Sequence, residues 1–430
     1  MARPLSSSSC RSLLRVLTLA AATAGVAACG TTVDDAAGSD DAITSNDGRT
    51  LEMKLTGEVV ARSNDTARKA IAAQLQYVQG ILTTDVRGNG QTGMPGLTNV
   101  RETVEGDKKV ITYEASLAVV WPKSSEAPAT YDLVLPRDTT SLAAFNAKYD
   151  GRCGRNEYGQ ETFWHDFDPK AAGCTLDDAD VVRTRATIAP HPQTTEGKYP
   201  EYDQVWNDDA LDVVAVFGII SSNTPTDEGA RTREKLLAEV SASLQGAQRT
   251  EAPATPGVIH ESTVTGTIRR DGRDQRVNVT AFLVQEASSA GQGFYARYEA
   301  ATAKADLVVY EGHSGLGANI NALARNTGAQ AGKYQLVYLF GCQTLAYLEP
   351  TMHEKRIALN GAERDPEGTK FLDVIANGLP AYGDDGRSTI GLYRALLDPS
   401  APKTFNQLID GISPLHLVTV FGEHDNTFRP

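Results

Sequence analysis

The sequence predicts an α/β architecture in two parts: a mostly parallel sheet flanked by helices over residues 205–430, preceded by a smaller α+β domain over residues 51–204. Three observations predict it. Two runs, Asp306–Gly312 and Tyr334–Gly341, are apolar, rich in β-formers and closed by glycine, the pattern of strands buried on both faces of a parallel sheet. From about Leu211 onward such runs alternate with helical periods, which is the rhythm of βαβ units. A chain of 430 residues also exceeds what one ordinary core encloses.

The chain opens on Arg3, Arg11 and Arg15 without an acid, and Val16–Ala28 is apolar and small, an export signal over residues 1–28. Val26-Ala27-Ala28-Cys29-Gly30 resembles a bacterial lipobox, which implies cleavage before Cys29 and lipid (palmitate among the acyl chains) on that cysteine. The alternative is an ordinary signal cut near the same small residues. The apolar segment is short for a membrane span, so the expected location is the cell envelope, lipid-anchored to a bacterial membrane. Residues 29–50 form a flexible linker, because Thr31–Arg49 is acidic, rich in Ser, Thr and Gly, and almost free of large apolar residues.

Leu51–Val60 alternates as a strand, and a helix begins near Ser63-Asn64-Asp65 with Ile71, Leu75, Val78 and Leu82 on one face. Val110–Trp121 and Tyr131–Leu135 read as strands, and Ser141–Tyr149 as a helix. In the second part Asp212–Ile220 is a strand. The helix after it is capped by Thr224, with Pro225 at its first position and Asp227 three beyond the cap, and turns Leu236, Leu237, Val240 and Leu244 inward. Val264–Arg270 and Val277–Val284 flank Asp271-Gly272 as a hairpin. Helices over Phe294–Lys304 and around Ile320–Ala324 precede the two glycine-closed strands; Phe371–Asn377, a helix over Ser388–Leu397 and a final strand Leu415–Phe421 follow.

Of five cysteines, Cys10 leaves with the signal and Cys29 takes the lipid. In an exported chain Cys153 and Cys174, flanking a loop rich in Gly, Asp and aromatics, are expected to form a disulfide. Cys153, His165 and Cys174 around a metal is the alternative, without a Cys-x-x-Cys pair to support it. Cys342 remains the odd thiol. The 41 basic and 54 acidic residues give a net charge of −13; removing the signal's three arginines leaves 38 basic against 54 acidic. Such a surface repels phosphate backbones, so nucleic acid is not an expected partner. No cofactor is expected either.

The two glycine-closed strands lead into His313 and Cys342, and ligands in open α/β sheets bind beyond the carboxyl ends of the strands. An imidazole can take the proton of a thiol, and the thiolate is a nucleophile. An apolar strand ending in His, followed by a second ending in Cys, resembles the caspase-like cysteine peptidases (caspases, legumains, clostripain, gingipains) over roughly residues 205–430. The resemblance implies a caspase-like sheet, His313 as general base, Cys342 as nucleophile and a protein or peptide substrate. In that group a glycine directly after the histidine helps to hold the oxyanion. Here Ser314 intervenes, and Gly315 becomes the oxyanion candidate. Gly341 stands where Ala or Ser is common.

Two other readings compete. Gly312-His313-Ser314-Gly315-Leu316-Gly317 looks like a hydrolase nucleophile elbow with Ser314 as nucleophile, but Leu316 occupies the place of the second glycine of G-x-S-x-G. Asp384 or Asp385 with His416 or His424 would complete that triad. A catalytically inactive, caspase-like surface binding lipoprotein is the third reading. His165, His191, His260 and His353 read as surface residues, and Glu423-His424-Asp425-Asn426 as a loop at the carboxyl edge of the sheet. If Cys29 carries the lipid, Cys29→Ser should move the protein from the membrane to the soluble fraction; a variant that stays with the membrane, checked by fractionation and mass spectrometry, excludes the anchor.

Overall fold

Alternation on one flank and uninterrupted apolar runs on the other give this chain two sheets of different character. The computed structural model describes residues 47–86, 91–92, 95–155, 160–191, 197–270, 272–398, 400–413 and 416–430. Cys29, the signal and nearly all of the linker lie outside the described residues.

In the first sheet β1 (Gly48–Arg62) pairs antiparallel with β4 (Lys108–Pro122) over the full length of both, from Gly48 opposite Pro122 to Arg62 opposite Lys108. Helix α1 (Ala67–Asp85) crosses between them in sequence. Its cap is Thr66, whose side chain accepts from the Lys69 amide at 3.2 Å, rather than the Ser63–Asp65 cluster. Ile71, Leu75, Val78 and Leu82 are all buried, as their spacing predicts. Three strands escape prediction: β2 (Gln91–Thr92), β3 (Gly96–Glu105) and β6 (Val181–Pro190). Strand β3 is exposed along almost its entire length, so no buried face writes a period into its sequence. With β5 (Thr130–Pro136) the order is β2-β4-β1-β6-β5, and β3 also pairs with β4.

Between β5 and β6 lie α2 (Leu142–Tyr149) and α3 (Phe163–Asp166), clamped by the expected disulfide between Cys153 and Cys174. With both sulfurs in that bond, a Cys153–His165–Cys174 metal site is not available; His165 Nδ1 lies 3.0 Å from Asp166 instead. The clamped loop packs by its rings: Phe167 lies 5.4 Å from Tyr77 of α1, and Phe145 lies 4.8 Å from Tyr149. At Gly80 a Cβ would stand 2.2 Å from the Trp164 carbonyl oxygen, so only glycine permits this approach of α1 to α3.

After α4 (Tyr202–Val205) the second sheet begins. Its strands are β7 (Ala210–Gly218), β8 (Gln245–Glu251), β9 (His260–Arg270), β10 (Arg273–Val284), β11 (Leu307–Glu311), β12 (Gln335–Phe340), β13 (Leu372–Asn377) and β14 (Val418–Phe421), in the order β14-β13-β12-β11-β7-β10-β9-β8. The sheet is mixed, with a parallel centre. Strands β13, β12, β11, β7 and β10 run parallel, β14 and β9 pair antiparallel on either side of them, and β8, antiparallel to β9, returns to the central direction. The short connection from β9 to β10 accounts for one flank, since a tight hairpin must reverse direction. Helices α5 (Glu228–Ser243), α6 (Gly291–Thr302), α7 (Ala318–Asn326), α8 (Thr351–Asn360), α9 (Arg387–Leu397) and α10 (Phe405–Ile409) cover it. Helix α5 starts three residues later than Thr224-Pro225 predicts, because Asp227 itself is the cap.

The sheets are not separate cores. One contiguous apolar cluster joins Leu51, Ile71 and Phe163 of the first part to Val214, Phe282 and Val337 of the second. A smaller one sets Val120 of β4 against Leu345, Ala376, Leu379 and Leu417. Replacing Cys153 and Cys174 together by serine is expected to cost about 3 kcal/mol, the chain-entropy value for a loop of this size, measured as a lower urea midpoint.

Candidate active site

Strands β11 and β12 pair in parallel register, Glu311 opposite Phe340, and His313 and Cys342 each follow two residues later. Both therefore emerge at the carboxyl edge of neighbouring strands. The chain ends converge tightly there. The Gly312 amide donates to the Phe340 carbonyl at 3.1 Å, and a Cβ on Gly341 would stand 2.7 Å from the Gly312 carbonyl oxygen. That contact leaves no room for a side chain at Gly341, the residue before the cysteine.

The backbone of His313 is fixed from two sides: its carbonyl accepts from the Tyr310 hydroxyl at 2.6 Å and from Asn319 Nδ2 at 2.8 Å. The ring is exposed, and its Nε2–H donates to the Ile220 carbonyl at 2.9 Å. A carbonyl only accepts, so this bond places the proton on Nε2 and leaves Nδ1 as the basic nitrogen of the neutral ring. Ile220 sits just beyond β7, and Asp227 holds that loop. The Asp227 carboxylate accepts from the amides of Ile220 (3.1 Å), Ser221 (2.8 Å), Ser222 (3.1 Å) and Gly229 (3.0 Å). Burial alone would raise the Asp227 pKa, but the amides of Ser221, Ile220, Ser222 and Gly229 outweigh it and hold the carboxyl below its ordinary value.

Cys342 is half-buried and is the free thiol of the described residues. It heads a sharp turn, since Gln343 has φ 56° in the left-handed region and its amide donates to the Leu379 carbonyl at 2.9 Å. Asn377 braces the turn with bonds to the carbonyls of Gly341 (3.2 Å) and Leu379 (2.8 Å). The Ala381 amide donates to Cys342 Sγ at 3.4 Å, a donor set where negative charge on sulfur would be held. Gly315, at φ 59°, is exposed in the turn after His313, and its N–H meets no acceptor among the described residues.

His416 is bonded to the same loop, at the residue after Ala381. It is buried, its Nε2 accepts from the Tyr382 amide at 3.0 Å, and its ring packs on Phe340 at 5.0 Å and stacks with Tyr382. Burial lowers its pKa. His424 is elsewhere: β14 runs antiparallel, so the Glu423–Asn426 turn falls at the amino edge of the sheet, not the carboxyl edge, and His424 pairs with Glu367 at 3.3 Å. Ser314 is buried, and no hydrogen bond joins it to His416 or His424 among the described residues. Asp385 is engaged with Arg231 at 3.2 Å, and Asp384 caps α9 through the Gly386 and Ser388 amides. His353 is buried rather than superficial.

Sequence reading missed the Ile220 carbonyl and the Ala381 amide, which are backbone groups that any residue could supply. Glu311 does not orient His313. Its Oε2 accepts from Thr389 at 3.0 Å, and burial first, then the charge of Asp384, raises its pKa to about 8. No family model matches the chain, and no curated protein matches it.

Asp227→Ala should destabilise the fold by about 1–2 kcal/mol, the cost of a lost helix cap, read in urea unfolding. It should also disorder the Ile220 loop, read as faster amide exchange at residues 220–222. In Glu311 the folded pKa is raised above the usual carboxyl value of about 4.3. Its contribution to stability is therefore complete at lower pH and lost as pH rises through about 8. Glu311→Gln should gain stability relative to wild type between pH 5 and pH 8; unfolding midpoints that differ equally at both pH values would show that this carboxyl is not protonated in the fold.

Proposed function

We propose that this protein is a caspase-like cysteine peptidase, exported and held at a bacterial membrane by lipid on Cys29, with Cys342 as nucleophile and His313 as general base. The observation that carries the reading is the His313 tether: the Ile220 carbonyl accepts a hydrogen bond from Nε2–H, which leaves Nδ1 to receive a proton from the thiol. The thiol of Cys342 passes its proton to His313 Nδ1, and the thiolate adds to a peptide carbonyl. The negative charge moves to the carbonyl oxygen, where the N–H of Gly315 is available as donor. Collapse breaks the C–N bond, His313 returns the proton to the leaving amine, and an acyl-cysteine remains. Water, deprotonated by the same nitrogen, then adds to the acyl carbon and releases the acid and the thiol.

The second reading is a caspase-like binding protein without catalysis. It is favoured by one observation: no hydrogen bond joins His313 to Cys342 among the described residues, each being bonded to a different loop. Catalytic pairs are often loose in the absence of substrate, so the two readings part on reactivity. Labelling the folded protein with a peptide-derived electrophile at neutral pH tests them. The peptidase reading expects modification of Cys342, none in Cys342→Ala, and labelling slowed about a hundredfold or more in His313→Ala, the usual range for a general base. Equal labelling rates in wild type and His313→Ala would favour the binding protein.

A further inference from the structure

A wide concavity lies away from Cys342. It opens where the first sheet meets the amino edge of the second, the opposite end of the parallel strands, and encloses about 740 Å³. That volume is in the range of small-molecule sites. Its walls come from β1, β3 and β4 on one side and from α8 and the turns before β13 and after β14 on the other.

One wall residue is an anomaly. His353 of α8 is 3% exposed, yet neither of its ring nitrogens has a hydrogen-bond partner. Buried polar groups are paired almost without exception, so two unpaired nitrogens on one side chain that lines a cavity ask for an occupant. Beside it stands Arg68, in the first turn of α1. The other cations of the wall are matched: Lys54 with Glu52 at 2.9 Å, Arg185 with Asp132 at 2.6 Å, and His424 with Glu367 at 3.3 Å. Arg68, which also lines the cavity, makes no ion pair or hydrogen bond among the described residues. The acid left without a cation, Glu114, takes the Thr98 hydroxyl at 3.4 Å on the far strands.

The electrostatics agree. Burial, and after it the charge of Arg68, lowers the His353 pKa to about 4. A neutral ring offers one N–H donor beside an unmatched guanidinium. The remainder of the wall includes Leu55, Leu97, Ala118 and Phe421.

We propose that this cavity is a binding site for a small amphiphilic anion, its carboxylate or phosphate head held by Arg68 and the His353 ring and its apolar body lying against Leu55, Leu97, Ala118 and Phe421. Arg is suited to such heads because its guanidinium donates two parallel hydrogen bonds to them. The site is independent of the thiol chemistry, which lies at the other edge of the sheet.

Titration calorimetry on the full chain with octanoate, monooctyl phosphate and octanamide tests it. One or both anions should bind and the neutral amide should not; which anion binds more tightly identifies the head group. Arg68→Gln, a change at a half-exposed position, should weaken the anion at least about tenfold, the loss expected for a charge-assisted hydrogen bond. Arg68→Lys should fall between, keeping the charge without the fork. Circular dichroism of each variant establishes that the fold is retained. Equal binding of octanamide and octanoate, anion binding unchanged in Arg68→Gln, or no binding of any of the three would overturn the proposal.

Discussion

The carboxyl edge of the second sheet depends on one hydrogen bond, from His313 Nε2–H to the Ile220 carbonyl. It settles which ring nitrogen is basic, and its acceptor is not a side chain that evolution could tune directly. The carbonyl can be placed only by placing the loop. Four amides of that loop and of the following helix converge on the Asp227 carboxylate, so the cap of α5 and the orientation of His313 are one structure. A charge-assisted bond to backbone is among the stronger polar contacts available to a loop. Three links thus run in series from a helix end, through a carbonyl, to an imidazole.

The Cys342 side is supported differently, by packing from the first sheet. Val120 of β4 presses on the turn after β13, where a Cβ on Gly378 would lie 2.7 Å from a Val120 methyl. Gly48, opening β1, lies against Leu417 and Leu379 in the same way. Trp164, from the disulfide-clamped loop, packs its ring 6.0 Å from Tyr347, five residues after the cysteine. The first sheet therefore acts as a buttress for the loops that carry Leu379 and Ala381. Its interior is continuous with that of the second sheet, and loosening it would reach the sulfur's hydrogen-bond donor without touching the sulfur.

What the sequence disclosed follows from where burial writes a pattern. Strands β11 and β12 are covered on both faces, so their apolar runs, and the His and Cys that end them, stood out. The α1 face was readable because Ile71, Leu75, Val78 and Leu82 meet one wall. Exposed strands such as β3 and β8 carry no period, and they were missed. Direction is not locally encoded either: nothing in Val418–Phe421 says that it runs antiparallel, which moved His424 to the wrong edge. His353 was misjudged because Glu354, Lys355 and Arg356 follow it in succession, and the buried positions of the helix, Met352, His353 and Arg356, do not resemble an apolar stripe. The cap of α5 was placed at Thr224 with Asp227 three beyond it, and the carboxylate itself is the cap because it reaches four amides at once.

The closing of the sheet by β14 and the segment after it also shapes how the protein is made. Glu201 accepts from the amides of Thr427 and Phe428, and Asn426 donates to Asp373 and to the Tyr199 carbonyl, partners as far as 227 residues away in sequence. Contacts so distant are closed late, at high loop entropy, and slow the approach to the native state. Until they form, β13 is an open strand edge beside an apolar core, a template for pairing with another chain. A chain folded in all but this segment would therefore be liable to aggregate. A truncation that removes residues 418–428 would leave that edge of β13 unpaired.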